Sequence, residues 1–307
     1  MDSNTSPKDH LLKLLVEGDL DAQVDAKMAL AELGEPAVES LIALLEDDSK
    51  CDIWWLVADA LGRIGDRRAV KPLVQLLNNP LSFDIMALLS RKYAVWALAN
   101  LKDAQAVDTL IAILHEKKRV MDDDDVVTVS DEPDHEIIEA AIGALTEIGD
   151  PRAIEPIVNR LLEGDTWPYG GILAPWGSTA FELLLKALDS QDDATRATAA
   201  YFLGQFGDAR AVEPLIDLLG RDASNKVRDS AAYALGELRD KRAVDALVAA
   251  LKDPDEGTRA EAAFSLEKIG DERSIPALAE AVSDEHPSVR SSARQALETI
   301  TQTRDRK

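Results

Sequence analysis

One cysteine, Cys51, serves 307 residues. A single thiol cannot close a disulfide within the chain, and it cannot build a cysteine-rich zinc or iron–sulfur site. It fits a reducing compartment. No apolar run approaches the roughly 18 residues that a membrane span requires. Residues 1–13 are polar and lack the apolar centre of a signal peptide. These absences predict a cytoplasmic protein with no membrane insertion. Positive charge is also scarce, with 34 Lys and Arg against 57 Asp and Glu, a formal charge of −23. A surface this acidic repels phosphate backbones, and no local basic stripe offsets it, so nucleic acid is not an expected partner. Phosphate-binding glycine motifs are missing too, because Gly170-Gly171 lacks the flanking strand and helix that they need. Hydrophobic residues make up 46% of the chain, enough for a large core.

What the chain does contain is a repeat. Gly65-Asp66-Arg67-Arg68-Ala69-Val70-Lys71-Pro72 is echoed by Gly207-Asp208-Ala209-Arg210-Ala211-Val212-Glu213-Pro214 and by Gly270-Asp271-Glu272-Arg273-Ser274-Ile275-Pro276. Further copies lie at Gly149-Asp150-Pro151-Arg152-Ala153-Ile154 and Arg239-Asp240-Lys241-Arg242-Ala243-Val244, with weaker ones at Gly34-Glu35-Pro36 and Lys102-Asp103-Ala104. The acidic turn residue falls at 35, 66, 103, 150, 208, 240 and 271, a basic step near 31 that stretches to 58 between 150 and 208. The long step accommodates one normal and one degenerate unit, the latter over roughly 165–190. A period near 31 joining two helical patterns is the signature of an α-solenoid.

Each unit reads as a helical hairpin. In 211–240, Ala211 to Leu219 forms a first helix that tolerates Pro214 in its opening turn. A second helix carries Val227, Ala231, Leu235 and Leu238 on one face, and Ala232 and Ala234 beside them let neighbouring units approach closely. The expected fold is all-α, a right-handed solenoid of about eight hairpins. Residues 1–20 supply a polar segment and a first helix, 21–301 the array, and 302–307 a polar tail. Two inserts interrupt it, an acidic excursion at 117–135 and a Trp-, Gly- and Pro-rich loop at 164–177.

The Gly-Asp-x-Arg-Ala-Val-x-Pro-Leu turns, with the Val227-Arg228 to Gly236 helix, resemble HEAT-like repeats of the phycobilisome-lyase type. The resemblance implies an α-solenoid and a choice of roles. One is a protein-binding scaffold, assembly factor or chaperone. A second, from likeness to bilin lyase E/F subunits, is handling of a linear tetrapyrrole bilin on a phycobiliprotein; Trp55, Trp96 and Tyr201 would then stack on its rings, with Asp59 at the pyrrole nitrogens. A third is an accessory role in iron–sulfur cluster assembly, docking a carrier protein. The chain is also similar in size and architecture to the di-iron deoxyhypusine hydroxylase type, whose inner helices carry four His-Glu pairs. Here only His115-Glu116 and His135-Glu136 occur among four histidines; His115 is expected to end a first helix and His135 to sit in the acidic insert, so no metal site is expected.

Other chemistry is equally thin. Cys51 has no histidine near it in sequence and reads as an incidental thiol. The aspartates at 122–125 could gather a cation but lack the glycine and terminal glutamate of a calcium loop, so they read as a solvated charge run. No catalytic residues or resident cofactor are expected. Asp222 and Arg228, Asp253 and Arg259, and Asp284 and Arg290 are each six residues apart, which predicts a charge ladder between successive units.

Candidate contacts come from helical register. On second helices, the positions turned from the apolar face include Trp55, Asp59, Arg63, Trp96, Asn100, Tyr201, Tyr233 and Phe264. Aromatic rings where periodicity predicts exposure are the anchors that protein interfaces use. Trp167, Tyr169 and Trp176 in the second insert complete the candidate set. The predicted activity is recognition of a partner protein, such as a phycobiliprotein or an assembly-machinery protein, through the concave face and the inserts.

Overall fold

A computed structural model describes residues 6–78, 85–121, 127–133, 135–163 and 170–305. Its packing divides into two compact units, Met1–Ile157 and Val158–Lys307. Helices in both are paired. In the first unit the pairs are α1 Pro7–Glu17 with α2 Leu20–Leu33, α3 Val38–Leu45 with α4 Trp54–Ile64, α5 Val70–Asn78 with α6 Ile85–Leu101, and α7 Val107–Ile113 with α8 His135–Ile148. Helix α9, Ile154–Leu162, spans the boundary between the units. The second unit pairs α10 Gly177–Ala187 with α11 Asp193–Phe206, α12 Val212–Arg221 with α13 Asn225–Leu238, α14 Val244–Ala250 with α15 Glu256–Ile269, and α16 Ile275–Ala281 with α17 Pro287–Asp305. The fold is an all-α solenoid of helical hairpins.

The Asp-x-Arg turn explains how one hairpin hands on to the next. Asp66 has extended φ/ψ angles, and its carboxylate accepts a hydrogen bond from the Arg68 backbone N–H at 2.9 Å. That capping bond starts a short 3-10 turn, Arg67–Ala69, from which α5 continues. Asp103, Asp150, Asp208, Asp240 and Asp271 cap their turns identically. The small residue that closes each turn is sealed inside: Ala69, Ala106, Ala153, Ala211, Ala243 and Ser274 are all 0% exposed. Four helices before these turns end on a glycine at positive φ, as Gly65 does at 75°. Lys102 and Arg239 hold that same left-handed conformation, at φ 49° and 51°, with a side chain attached.

Second helices lie against one another along each unit, α2 to α8 in the first and α11 to α17 in the second. Small residues set their separation. A methyl group on Gly204 of α11 would stand 2.6 Å from the Ala234 Cα of α13, and one on Gly62 of α4 would stand 2.7 Å from the Ala97 Cα of α6. At the next contact Gly236 faces Ser265, whose hydroxyl is buried and donates to the Ala232 carbonyl at 2.8 Å. The Ala-Leu-Gly signature of the second helices is therefore a contact requirement.

The structure departs from the sequence reading in two places. The 117–135 insert, expected as an excursion without strands, contains an antiparallel pair, β1 Lys117–Met121 and β2 Val127–Pro133. The alternating, β-branched Val127-Thr128-Val129 stretch supplies the reason; residues 122–125 lie outside the described residues. Second, the hairpin pattern breaks at α9, where the two compact units divide. The boundary falls in α9, just before the insert. Where a second helix is expected next, the described chain instead shows a 3-10 segment, Gly170–Trp176, which packs on α10 and α11.

Two substitutions test this account. Gly204→Val forces a branched side chain into the Ala234 backbone and is expected to cost about 3 kcal/mol. Arg239→Gly relieves the left-handed strain and, after the added freedom of the unfolded chain is subtracted, should gain about 0.5 kcal/mol. Urea unfolding reads both as opposite shifts of the midpoint at unchanged slope.

Candidate protein-binding faces

Charge organises the edge of the second unit where first helices turn into second ones. The Arg228 guanidinium donates to both carboxylate oxygens of Asp253 in the following hairpin, each at 2.7 Å. Its remaining nitrogen donates to the carbonyls of Asp222 and Ala223 in its own turn, at 3.0 and 3.2 Å. Arg259 repeats this with Asp284 at 2.9 and 3.0 Å and with the carbonyls of Asp253 and Pro254. Arg290 keeps the carbonyl half of the pattern, to Asp284 and Glu285 at 2.8 Å each. A rung absent from the sequence prediction precedes these: Arg196 holds Asp222 at 2.7 and 3.0 Å. Arg196, Arg228 and Arg259 thus each tie their own turn by the backbone and the next hairpin by a forked ion pair.

The first unit solves the same problem with different residues. Arg91 on α6 donates to the Leu77 carbonyl and to both oxygens of Glu116, at 2.6 Å each. On α4 a tryptophan takes the place of the arginine, and the buried Trp54 indole donates to the Leu44 carbonyl at 3.0 Å. A further row of bonds runs along the Asp-x-Arg turns. Arg68 reaches back to Glu39, Arg152 to Asp108 and Arg210 to Glu182, at 2.8 to 3.1 Å. Helical register does not reveal this row, although the Asp-x-Arg spacing carries its signal. These side chains are about half exposed, so each pair contributes little to stability.

On the second-helix face of the first unit, Trp55, Tyr93 and Trp96 form a chain of rings. Centroids lie 5.4 Å apart between Trp55 and Tyr93 and 5.0 Å between Tyr93 and Trp96, the latter pair edge to face. Trp96 is 45% exposed. Tyr93 was not among the predicted contacts; it lies three residues before Trp96, and that spacing was its signal. Asp59 nearby is engaged, accepting from Lys27 at 2.6 Å and from Arg63 at 3.0 Å. Asn100 is exposed on α6.

The second unit carries its own row. Tyr201 and Tyr233 stack with centroids 5.3 Å apart and planes 13° from parallel, and the Tyr233 hydroxyl accepts from Gln205 at 2.7 Å. Phe264 follows on α15, 37% exposed. Burial, with the Glu237 charge adding to it, pushes the Tyr233 hydroxyl up to about 12. Asp229 and Glu261 on these helices are held above the usual carboxylate range, first by burial and then by acidic neighbours, Asp255 and Asp229 respectively. Along the ladder the sign reverses. Asp222 and Asp284 are held below the usual range, chiefly by hydrogen bonds from Arg196 and Arg259.

The second insert divides. Trp167 and Tyr169 lie outside the described residues. Trp176 is only 9% exposed and ends the 3-10 segment against α10 and α11, so it serves the core of its unit and is not the exposed contact expected from the loop. Among the described residues no three His, Cys, Asp or Glu side chains converge on a metal-sized site, and no helix is long and apolar enough to cross a membrane.

The ladder yields a stability test. Arg228→Ala should cost about 2 kcal/mol, since it strands a largely buried carboxylate, whereas Arg228→Lys should recover part of the loss without the fork. Asp222 has a lowered folded pKa, so its contribution is present above the unfolded value near 3.8 and is lost as pH falls through the folded value. Acid unfolding should therefore steepen below about pH 4, and an Asp222→Asn variant should flatten that limb when followed by circular dichroism.

Comparison with known proteins agrees with this geometry. HEAT repeats match residues 9–90, 171–235 and 212–298, and the PBS lyase HEAT-like repeat matches 90–116 and 138–163. No curated protein matches. Among solved structures, the karyopherin Kap121p bound to the extreme C-terminus of the protein phosphatase Cdc14p is similar over 94% of this chain and 37% of its own, at 14% identity and a TM-score of 0.57. Human deoxyhypusine hydroxylase in complex with glycerol is 24% identical over 96% of each chain, with a TM-score of 0.38. The complex of CpcE and CpcF of phycocyanin lyase from Nostoc sp. PCC7120 is 25% identical over 48% of this chain and 99% of its own, with a TM-score of 0.43. The chain belongs to the HEAT-repeat family and includes repeats of the PBS-lyase type.

Proposed function

We propose that the chain is a non-catalytic scaffold or assembly factor that holds a partner protein against the second-helix faces of its units. The observation that carries this reading is the placement of rings. Trp96 and Phe264 are exposed at 45% and 37%; Trp96 meets Tyr93 of its own helix edge to face, Tyr93 in turn meets Trp55 of the neighbouring helix, and Lys268 joins Phe264 to Tyr233 of the neighbouring helix. Exposed rings grouped in this way are the anchors of protein interfaces. Recognition would proceed by shape, ring contact and negative potential, with no covalent step. A formal charge of −23 favours a partner with a basic or neutral contact patch and makes association weaken with salt.

The PBS lyase HEAT-like match at 90–116 and 138–163 favours a second reading, in which the first unit handles a bilin on a phycobiliprotein. Trp55, Tyr93 and Trp96 would then stack on the tetrapyrrole. Asp59 would have to leave Lys27 and Arg63 to reach a pyrrole nitrogen, which costs two ion pairs. That cost places the bilin reading second.

Trp96→Ala combined with Tyr233→Ala should reduce capture of the partner from host extract at least tenfold, while the melting temperature falls by no more than about 4 °C. A collapsed melting transition would assign these rings to the core and end the scaffold reading. Mixing the unaltered chain with a linear bilin should leave the visible spectrum unchanged; an induced shift would favour the second reading.

A further inference from the structure

Within the second unit, one cation already sits among the rings. Lys268 on α15 places its ammonium nitrogen 4.3 Å from the Phe264 ring centre and 4.9 Å from that of Tyr233. The same nitrogen lies 2.5 Å from a carboxylate oxygen of Glu237. Two rings and a carboxylate therefore hold an ammonium group on this face, with no help from outside the unit.

Nearer the N-terminal ends of α13 and α15 the acids continue, with Lys226 exposed three residues before Asp229. Asp229 lies four residues before Tyr233, and Glu261 three before Phe264, so each shares its ring's side of the helix. Both carboxylates are partly buried, and the charge of Asp229 acts on Glu261. Asp255, which faces Asp229, is occupied by Asn225 at 2.6 Å and by the Thr258 backbone N–H at 3.0 Å. The arginines of these helices, Arg196, Arg228 and Arg259, are engaged in the ladder. Lys268 pairs with Glu237, one position along; its charge and a hydrogen bond from the Ser265 hydroxyl act to lower Glu261, but burial and the Asp229 charge outweigh them, so Asp229 and Glu261 keep raised pKa values.

Building on the scaffold reading, we propose that the second unit binds an extended, lysine- or arginine-bearing segment of its partner protein across α11, α13 and α15. One cation of the segment lies between Asp229 and Glu261, and a neighbouring residue packs on the stacked Tyr201 and Tyr233. Charge complementarity selects this occupant. An acidic segment would add charge to two carboxylates that already disfavour ionisation, and a purely apolar one would bury them unpaired. An extended chain advances about 3.3 Å per residue and neighbouring helices stand about 9 Å apart, so roughly three residues carry the segment from one helix to the next.

The test uses the full chain and a fluorescein-labelled twelve-residue peptide of alternating arginine and serine, read by fluorescence anisotropy. A glutamate–serine peptide of equal length is the control. The arginine peptide should bind and the glutamate peptide should not. Asp229→Asn with Glu261→Gln should weaken binding about tenfold or more, and Tyr201→Ala severalfold. Asp217→Asn with Glu280→Gln removes the same charge from α12 and α16 and should change affinity less than about twofold. The Asp229/Glu261 variant removes mutual repulsion, so its melting temperature at neutral pH should not fall. Equal losses in the two charge pairs would reduce the binding to general attraction and overturn the proposal, as would failure of the arginine peptide to bind. If the peptide fails while Trp96→Ala with Tyr233→Ala still abolishes partner capture, the basic segment is wrong and the scaffold reading survives. If the peptide behaves as expected but partner capture ignores those rings, the scaffold reading falls instead.

Discussion

Close approach between consecutive second helices is the constraint on which the rest depends. A hairpin of about 30 residues cannot enclose its own apolar face, so its stability is borrowed from the next hairpin. That loan requires backbones near enough for Gly204 to meet Ala234 and Gly62 to meet Ala97. Once the helices are that close, their outward positions come together as well, and side chains one period apart become neighbours. The stacking of Tyr201 on Tyr233 and the reach of Lys268 to Glu237 follow from the same spacing that builds the core.

Two rows of arginines then fix the register at either end of each hairpin, and their energetic weights differ. Arg196, Arg228 and Arg259 are largely shielded from water and fork onto carboxylates of the following hairpin, where the low local dielectric strengthens the pair. Arg68, Arg152 and Arg210 are about half exposed and contribute chiefly by completing a capped turn. The opposed behaviour of the acids has the same origin. Those bonded to a guanidinium are held low, and those for which burial and neighbouring acids dominate are held high.

Irregularity marks where the array was altered. In the first unit Trp54 stands in for the ladder arginine and Arg91 pairs with a glutamate, yet both still donate to a carbonyl near the end of the preceding helix. The geometric need, a donor at that carbonyl, is kept while the residue changes. Past the unit boundary a 3-10 segment stands in the place of a second helix, and its terminal Trp176 fills core space in its unit.

The repeat, the helical hairpins and the capped turns were legible because they rest on local chemistry: the Asp-x-Arg turn and the apolar stripe act within a few residues of themselves. The ring positions on the second helices were legible too, since helical periodicity places them. Sequence alone did not show that Arg228 and Arg259 join the aspartate 25 residues ahead as well as the turn six behind, because both spacings occur side by side in these hairpins. Nor could it tell Trp176 from Trp96. Only tertiary packing decides which of the two rings finds core space to fill and which is left facing water.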